Sequence, residues 1–190
     1  METPDPPHAM NQPTLPTLVL FQGGVSSSDS PLERLVVMAQ NAATLDLLLC
    51  AAQSKAFASA ILVTEDPTLS NAATALTLDG LPVVVEQGIA ADQGFHFGDN
   101  LLRICKAHNL ERVVYVGGGA MPLATSSALA DLALAVSGES TCVVSNNLFS
   151  ADMVAFYPAS ALERIVLPAT DNDLAWLLHF KAGLPHATTV

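Results

Sequence analysis

The sequence predicts a three-layer α/β/α fold built on a mostly parallel, Rossmann-like sheet. Short β-forming runs alternate with longer segments of helical spacing five times along the chain, which is typical of βαβ units. Residues 113–116 are an unbroken apolar run that enters three glycines, as a buried parallel strand does. The 190 residues are sufficient for one sizeable core, so we expect a single domain.

The first 16 residues differ from the rest of the chain. They contain five prolines and no lysine or arginine. This composition is typical of a disordered leader and lacks the basic and apolar features of a signal or transit peptide. We therefore expect residues 1–16 to be a disordered leader and residues 17–190 to form the α/β domain.

Local patterns define the first half of the domain. Ser30 and Glu33 form a capping box around Pro31, which suits the first position of a long helix. Asp79 and Gly80 mark a turn before a short β-forming run. In chain order, the patterns predict a strand at 17–21, a helix at 32–52, a strand at 60–64, a weaker helix at 68–76 and a strand at 82–86.

The second half opens with a loop, residues 87–97, in which His96 lies between two phenylalanines. A helix at 98–109 and the apolar strand at 113–116 follow. The remaining predicted elements are a helix at 123–136, strands at 141–145 and 153–157, a helical turn at 159–162, a strand at 164–167 and a last helix at 174–183. The brief connection between the two late strands indicates one antiparallel element.

Composition limits the classes of partner. Apolar residues make up 51% of the chain and charged residues 13%, which is low for a soluble monomer and predicts a homo-oligomer. The net charge is -11, and the seven lysines and arginines form no cluster. A nucleic-acid partner and an anionic membrane surface are therefore not expected. No uninterrupted apolar run reaches the roughly 18 residues of a membrane span.

The three cysteines, Cys50, Cys105 and Cys142, are far apart and lie in apolar patterns. No Cys-x-x-Cys spacing indicates a metal or redox pair. We expect buried, reduced thiols, as in a cytoplasmic protein.

Four segments have distinctive glycine-rich or polar sequences in a fixed order. They are the strand, Gly23-Gly24 loop and long helix at the start, Val63-Thr64-Glu65-Asp66-Pro67, Gly118-Gly119-Ala120-Met121-Pro122-Leu123, and Ser145-Asn146-Asn147 with Ser150-Ala151-Asp152. Together these segments resemble the nucleotide-diphospho-sugar transferase (GT-A-like) fold. Within it, the sequence is most similar to small nucleotidyltransferases of the molybdenum-cofactor guanylyltransferase and phospholactate guanylyltransferase types, and the resemblance covers residues 17–184 in element order.

The resemblance implies an enzyme that transfers a nucleotide from a nucleoside triphosphate to a small phosphorylated acceptor with Mg²⁺. The family's central metal-binding aspartate falls here at Gly119 or Ala120, so Asp152 and Asp171 become the candidate metal ligands, with Asp152 also the candidate catalytic residue. The residues expected to contact the nucleotide are Gly23, Gly24, Ser26, Ser27, Gly118, Gly119, Asn146 and Asn147.

Other interpretations of the same residues stay open. The first loop lacks the basic residues of the family's phosphate loop and could be a serine-rich turn that caps a helix. Asp171 and Asp173 could cap the last helix, and tandem asparagines are good turn formers. His96 could contact a ligand or pack with its aromatic neighbours at a subunit interface. Glu65 could contact a ligand or belong to a polar turn.

The activity also stays open at this level. The missing cations and aspartate are compatible with a catalytically inactive relative that acts as a nucleotide-binding or oligomeric interaction protein. A Rossmann-type dinucleotide enzyme is a weaker hypothesis, because neither glycine run has the Gly-x-Gly-x-x-Gly spacing.

Overall fold

The computed structural model describes residues 14–24, 30–76, 78–88 and 94–188. The elements, in chain order, are β1 (Thr17–Gln22), α1 (Pro31–Ser54), β2 (Ser59–Thr64), α2 (Pro67–Ala75), β3 (Val83–Gln87), α3 (Phe97–Ala107), β4 (Val113–Gly117), α4 (Ser126–Val136), β5 (Cys142–Ser145), β6 (Met153–Tyr157), a 3₁₀ helix (Ala159–Arg164), α5 (Leu174–Phe180) and β7 (His186–Thr188).

The strands form one seven-stranded sheet in the order β3-β2-β1-β4-β6-β5-β7. Strands β3, β2, β1 and β4 are parallel, and β6 runs antiparallel to both of its neighbours. One hydrophobic cluster packs α1, α2 and α4 on one face, and a second packs α3 and α5 on the other. This mixed sheet between two helical layers confirms the predicted fold class and the late antiparallel strand.

The central strands alternate strictly between the two faces of the sheet. Leu18 and Leu20 pack toward α1, whereas Val19 and Phe21 pack toward α3 and α5. All six residues of β1 are buried. Burial on both faces explains why these strands read as continuous apolar runs in the sequence.

Helix α1 begins as predicted. Ser30 Oγ accepts a hydrogen bond from Glu33 N, and Ser30 N donates to a Glu33 carboxylate oxygen 2.6 Å away, so the capping box forms. The buried residues of α1 all lie in its second half, from Thr44 onward. By length and composition alone α1 could cross a membrane, although the second half of the helix packs against the sheet.

The structure differs from the predicted elements near the end of the chain. The predicted strand at 164–167 is wrong, because this region joins the 3₁₀ helix to a segment that runs toward α3. There, Pro168 and Ala169 carbonyls accept hydrogen bonds from Gly98 N and Phe97 N. Strand β7 was not predicted because it is only three residues long and directly follows Pro185.

Three further differences are local. Helix α4 starts at Ser126 rather than residue 123 because the Thr125 hydroxyl accepts a hydrogen bond from Ala128 N. The last helix ends at Phe180, before Gly183 with its positive φ of 76°. Among the cysteines, burial raises the pKa of Cys105 to about 12, whereas Cys50 and Cys142 are partly exposed, so the buried-thiol prediction holds for Cys105 alone. Residues 1–13 of the predicted leader lie outside the described residues.

Candidate functional site

A cavity of about 710 Å³ opens at one edge of the sheet. It lies beyond the carboxyl ends of β1, β2, β3 and β4, where Gln22, Glu65, Gly88 and Gly117 line it. Ligands in open α/β sheets bind outside the carboxyl ends of the strands. The architecture therefore brings the glycine turns and acidic residues of distant sequence segments to one place.

Gly118 and Gly119, which follow β4, form one wall of the cavity and contact the side chains of Gln22 and Gln40. Gly118 N donates a 2.8 Å hydrogen bond to the Phe21 carbonyl. A Cβ on Gly118 would overlap Gln22 Oε1 and lie 2.9 Å from the Phe21 carbonyl oxygen. Gly119 has a φ of 71°, and a Cβ there would lie 2.7 Å from Gln40 Cγ. Both positions need glycine for close approach.

The first glycine loop faces the same cavity. Gly23 lines it, and Gly24 N donates to Glu65 Oε1 at 3.2 Å. The candidates Ser26 and Ser27 lie outside the described residues. The structure thus brings Gly23, Gly118 and Gly119 together at the cavity, with Gly24 beside it.

Asp171 lines the cavity from the segment before α5. Its Oδ2 accepts a 2.9 Å hydrogen bond from the hydroxyl of Tyr115 on β4. Burial, and secondly the Asp171 carboxylate, raise the pKa of Tyr115 well above its ordinary value. The phenol therefore stays protonated and orients the carboxylate. Asp173 stands at the N-cap of α5 without a side-chain cap hydrogen bond.

Asp152 reaches the cavity from the loop between β5 and β6. Its carboxylate accepts a 3.2 Å hydrogen bond from Asn146 Nδ2, and its carbonyl accepts one from Gly117 N. Asn147 Oδ1 accepts from Phe149 N, which is a turn-forming contact. Neither asparagine is among the residues lining the cavity. Asn146 positions Asp152, and Asn147 shapes the loop.

Two acceptor oxygens near the first loop have no donor. Glu65 Oε2 and Gln22 Oε1 are buried without a hydrogen-bond partner. Gln22 is only 5% exposed, and its amide nitrogen is directed to the Gly23 carbonyl. Gln22 Oε1 lies against Gly118, where an added Cβ would overlap it. Buried polar atoms are nearly always paired, so these two oxygens are exceptions within the described residues. The sequence signal for both was their position at the end of a strand.

The wall on the α3 side is aromatic. Phe97 lies 4.9 Å from Tyr115 and 5.7 Å from Phe21, between ring centroids. Phe95 packs against Phe21 at 6.3 Å and is 37% exposed, so it is the outermost ring. His96 instead caps α3 by accepting a hydrogen bond from Asp99 N, and it does not line the cavity. The aromatic cluster was missed because its members come from three segments.

The cavity is anionic within the part of the chain that the structure describes. Three carboxylates line it, those of Glu65, Asp152 and Asp171, and no lysine, arginine or histidine does. No group of three or more histidine, cysteine or acidic residues that could hold a metal ion occurs among the described residues. Asp152 and Asp171 both line the cavity, and Mg²⁺ is commonly bound through one or two carboxylates together with substrate phosphates.

Comparisons with known proteins rest on structure. No protein-family model matches the sequence, and no curated protein matches it significantly. Many solved structures match. A cytidylyltransferase from Leptospira borgpetersenii is 16% identical with a TM-score of 0.59, covering 93% of this chain and 76% of its own.

Two further solved structures also match more than nine tenths of this chain. The 4-diphosphocytidyl-2C-methyl-D-erythritol synthase of Anaerococcus prevotii is 10% identical with a TM-score of 0.61, covering 94% of this chain and 90% of its own. A CMP:2-keto-3-deoxy-manno-octonic acid synthetase in complex with CTP is 14% identical with a TM-score of 0.53, covering 93% and 89%. At such identities the likeness shows the fold alone: this chain has the nucleotide-diphospho-sugar transferase fold.

Proposed function

We propose that this protein is a nucleotidyltransferase-like protein that binds a nucleoside triphosphate in the cavity at the carboxyl edge of its sheet. The observation that carries the proposal is the convergence of two glycine turns and two aspartates on one cavity. In the proposed reaction, an oxygen of a small phosphorylated acceptor forms a bond to the α-phosphorus, and pyrophosphate leaves.

The glycine turns have the geometry for close contact with phosphates. Gly23 is exposed at the cavity with no atom near the position of a Cβ, so a ligand can reach its backbone. Gly118 and Gly119 also present backbone rather than side chain to the cavity. Because the described lining has no cationic side chain, the charge of a triphosphate needs another source of neutralisation.

Asp152 and Asp171 would hold Mg²⁺ in this proposal, and the metal would neutralise the phosphates. Tyr115 orients Asp171, and Asn146 orients Asp152. Each carboxylate is thus held by one neutral donor, which leaves its remaining lone pairs available. Asp152 is the catalytic candidate because it lines the cavity beside the glycine turn after β4, where its carbonyl accepts a hydrogen bond from Gly117 N.

A non-catalytic role is the second candidate, and the uncompensated carboxylates favour it. A cavity with three acidic residues and no cation among its described lining residues would bind a nucleotide weakly without metal. In that case the protein would be a nucleotide-binding or interaction protein in the cytoplasm that keeps the fold without turnover.

Titration calorimetry followed by a turnover assay separates these two candidates. The purified protein is titrated with GTP, CTP, ATP and UTP, each with and without Mg²⁺. We expect one nucleotide to bind and its affinity to rise by about tenfold or more with Mg²⁺, since two carboxylates and the phosphates complete the coordination. Assays of pyrophosphate release with phosphorylated acceptors then test turnover. Absence of binding for all four nucleotides would refute the nucleotide proposal.

The exposed half of α1 is the proposed surface for a second copy of the chain. Leu32, Leu35 and Met38 are exposed by 61–69%. Leu35, Met38, Ala42, Leu45 and Leu49 follow the spacing of a paired-helix seam. No charged residue occurs between residues 35 and 45, so two chains of net charge -11 can meet there without opposed charges. An anionic membrane surface is a less favourable partner for α1, because the helix carries two acidic residues and only one arginine.

The variant Met38→Glu tests this surface. It is expected to convert a dimer into a monomer, because burying a carboxylate in an apolar interface is unfavourable. The measurement is mass by light scattering coupled to size exclusion. Val166→Glu is the matched control, since Val166 is exposed but lies outside α1. A wild-type protein that is monomeric at high concentration would refute the proposed dimer.

A further inference from the structure

We propose that Gln40 contacts the bound nucleotide and donates a hydrogen bond from its side-chain amide to a phosphate oxygen. This inference rests on the proposed function, because it names a further residue at the same cavity. Gln40 lines the cavity from the first half of α1, whereas the site residues named from the sequence all lie in loops.

Gln40 is held against the glycine turn that follows β4. A Cβ on Gly119 would lie 2.7 Å from Gln40 Cγ and 3.4 Å from Gln40 Cα, so the two backbones approach each other closely. Gln40 is half-buried, although the buried residues of α1 begin only at Thr44. This contact places the side chain of Gln40 at the turn that would hold phosphates in the proposed function.

A neighbouring donor determines which end of the Gln40 amide faces the protein. Gln22 Nε2 donates to the Gly23 carbonyl at 3.1 Å and to Gln40 Oε1 at 3.5 Å. The oxygen of Gln40 therefore faces Gln22, and its nitrogen is the end that remains. Within the described part of the chain, Gln40 Nε2 has no hydrogen-bond acceptor and is not among the buried unpaired atoms. The nitrogen is thus accessible to a ligand, unlike the buried oxygens of Gln22 and Glu65.

The amide of Gln40 is the available side-chain N–H donor in the described lining of the cavity. Gln22 is the other lining residue with a side-chain N–H group, and it is 5% exposed and already bonded. No lysine, arginine or histidine of the described residues lines the cavity. A hydrogen bond from an amide to a charged phosphate oxygen is stronger than one between neutral groups. Gln40 can therefore hold a phosphate without adding positive charge to the site.

The variant Gln40→Met tests this hydrogen bond. Methionine is close in length to glutamine and keeps the Cγ that packs against Gly119, but it has no N–H group. Gln22 keeps its bond to the Gly23 carbonyl, so the midpoint of urea unfolding is expected to stay near that of the wild type. Calorimetry of the full chain with GTP, CTP, ATP and UTP, each with Mg²⁺, is expected to show about a tenfold loss of affinity for the nucleotide that binds.

Gln53→Met is the matched control. Gln53 lies on the same helix, is exposed and does not line the cavity, so the same change there is expected to leave nucleotide affinity unchanged. Affinity of Gln40→Met equal to that of Gln53→Met would overturn the inference.

The variant Gln40→Lys is expected to give an effect of opposite sign, which a purely structural role would not give. It keeps the same Cγ and places an ammonium group near the phosphates, so nucleotide affinity without Mg²⁺ is expected to rise about tenfold. The gain is expected to shrink as salt is raised. Gln53→Lys makes the same change in net charge away from the cavity and is expected to give no gain. Affinity of Gln40→Lys equal to or weaker than that of the wild type would overturn contact with a phosphate.

The outcomes separate this inference from the proposed function. Nucleotide binding by the wild type that neither Gln40 variant alters would reject Gln40 as a contact and leave the nucleotidyltransferase proposal intact. Absence of binding by the wild type for all four nucleotides would reject both.

Discussion

The variant Gly118→Ala is expected to lower the free energy of unfolding by about 1–3 kcal/mol, the usual cost of forcing extra volume into a packed site. The added Cβ would overlap Gln22 Oε1 and lie 2.9 Å from the Phe21 carbonyl oxygen. Neither atom can move easily. Gln22 is 95% buried against its neighbours, and Phe21 belongs to β1, which is paired with a strand on each side.

Gly23→Ala is the matched control for this variant. Gly23 lines the same cavity, its φ lies outside the left-handed region, and no atom lies within 4 Å of the position of its Cβ. The change there is expected to alter stability by no more than about 0.5 kcal/mol. Both values come from urea unfolding followed by circular dichroism. If the two variants had the same free energy of unfolding, the close approach of Gly118 to Gln22 and Phe21 would be wrong.

Nucleotide affinity is a second measurement that distinguishes the Gly118→Ala and Gly23→Ala variants. Displacement of Gln22 by the Gly118→Ala methyl group would reshape the floor of the cavity, so ligand binding is expected to fall with stability. Gly23→Ala, by contrast, adds a methyl group at the open side and is expected to reduce only contacts that need the backbone of Gly23. A stable Gly118→Ala protein with unchanged ligand affinity would show that this wall does not touch the ligand.

The fold could be predicted because its signals are local. Buried parallel strands are continuous apolar runs, and helices begin at capping residues such as Ser30 and Asp66, whose side chains hydrogen-bond the first amides. The failures occur where tertiary contacts decide. Residues 165–167 look like a strand, yet the next two carbonyls bond to the start of α3.

The candidate site was harder to predict because its members are distant in sequence. Asp171 reaches Tyr115 across 56 positions, and Glu65 reaches Gly24 across 41. The glycines and Asp152 could be named because they stand beside strand ends, and Asp171 because it precedes the last helix. Phe21 and Tyr115 look like ordinary core residues in their own segments, and Phe95 and Phe97 stand out only as neighbours of His96. Only the folded chain shows that the four rings share one wall.

The separate roles of Asp171 and Asp173 before α5 also could not be predicted from the sequence. A pattern of Asp171-Asn172-Asp173 predicts a helix cap with either aspartate. In the structure Asp173 makes no cap hydrogen bond, and Asp171 is directed to Tyr115. The burial of Tyr115 decides between the two roles, because its hydroxyl needs an acceptor once it leaves water. No pattern within residues 171–173 carries that information.

Asp171→Asn is therefore expected to have the largest effect on the proposed activity. It keeps the shape of the side chain and removes the charge that would hold Mg²⁺, so the gain in nucleotide affinity with Mg²⁺ is expected to disappear. If the protein turns over, the rate is expected to fall by about 100-fold or more, as when a charge-stabilising group is removed from an active site. Calorimetry with and without Mg²⁺ measures the first effect without knowledge of the acceptor.

Two further variants show whether position or mere acidity matters. Asp173→Asn makes the same chemical change two residues away, at an exposed side chain that does not line the cavity, and is expected to leave the Mg²⁺ effect intact. Tyr115→Phe keeps the ring and removes the 2.9 Å hydrogen bond to Asp171. It is expected to give an intermediate loss, since the carboxylate remains but is no longer oriented. Equal effects of the two aspartate variants would mean that Mg²⁺ responds to the general negative charge of this segment, and Asp171 would then have no special place in the site.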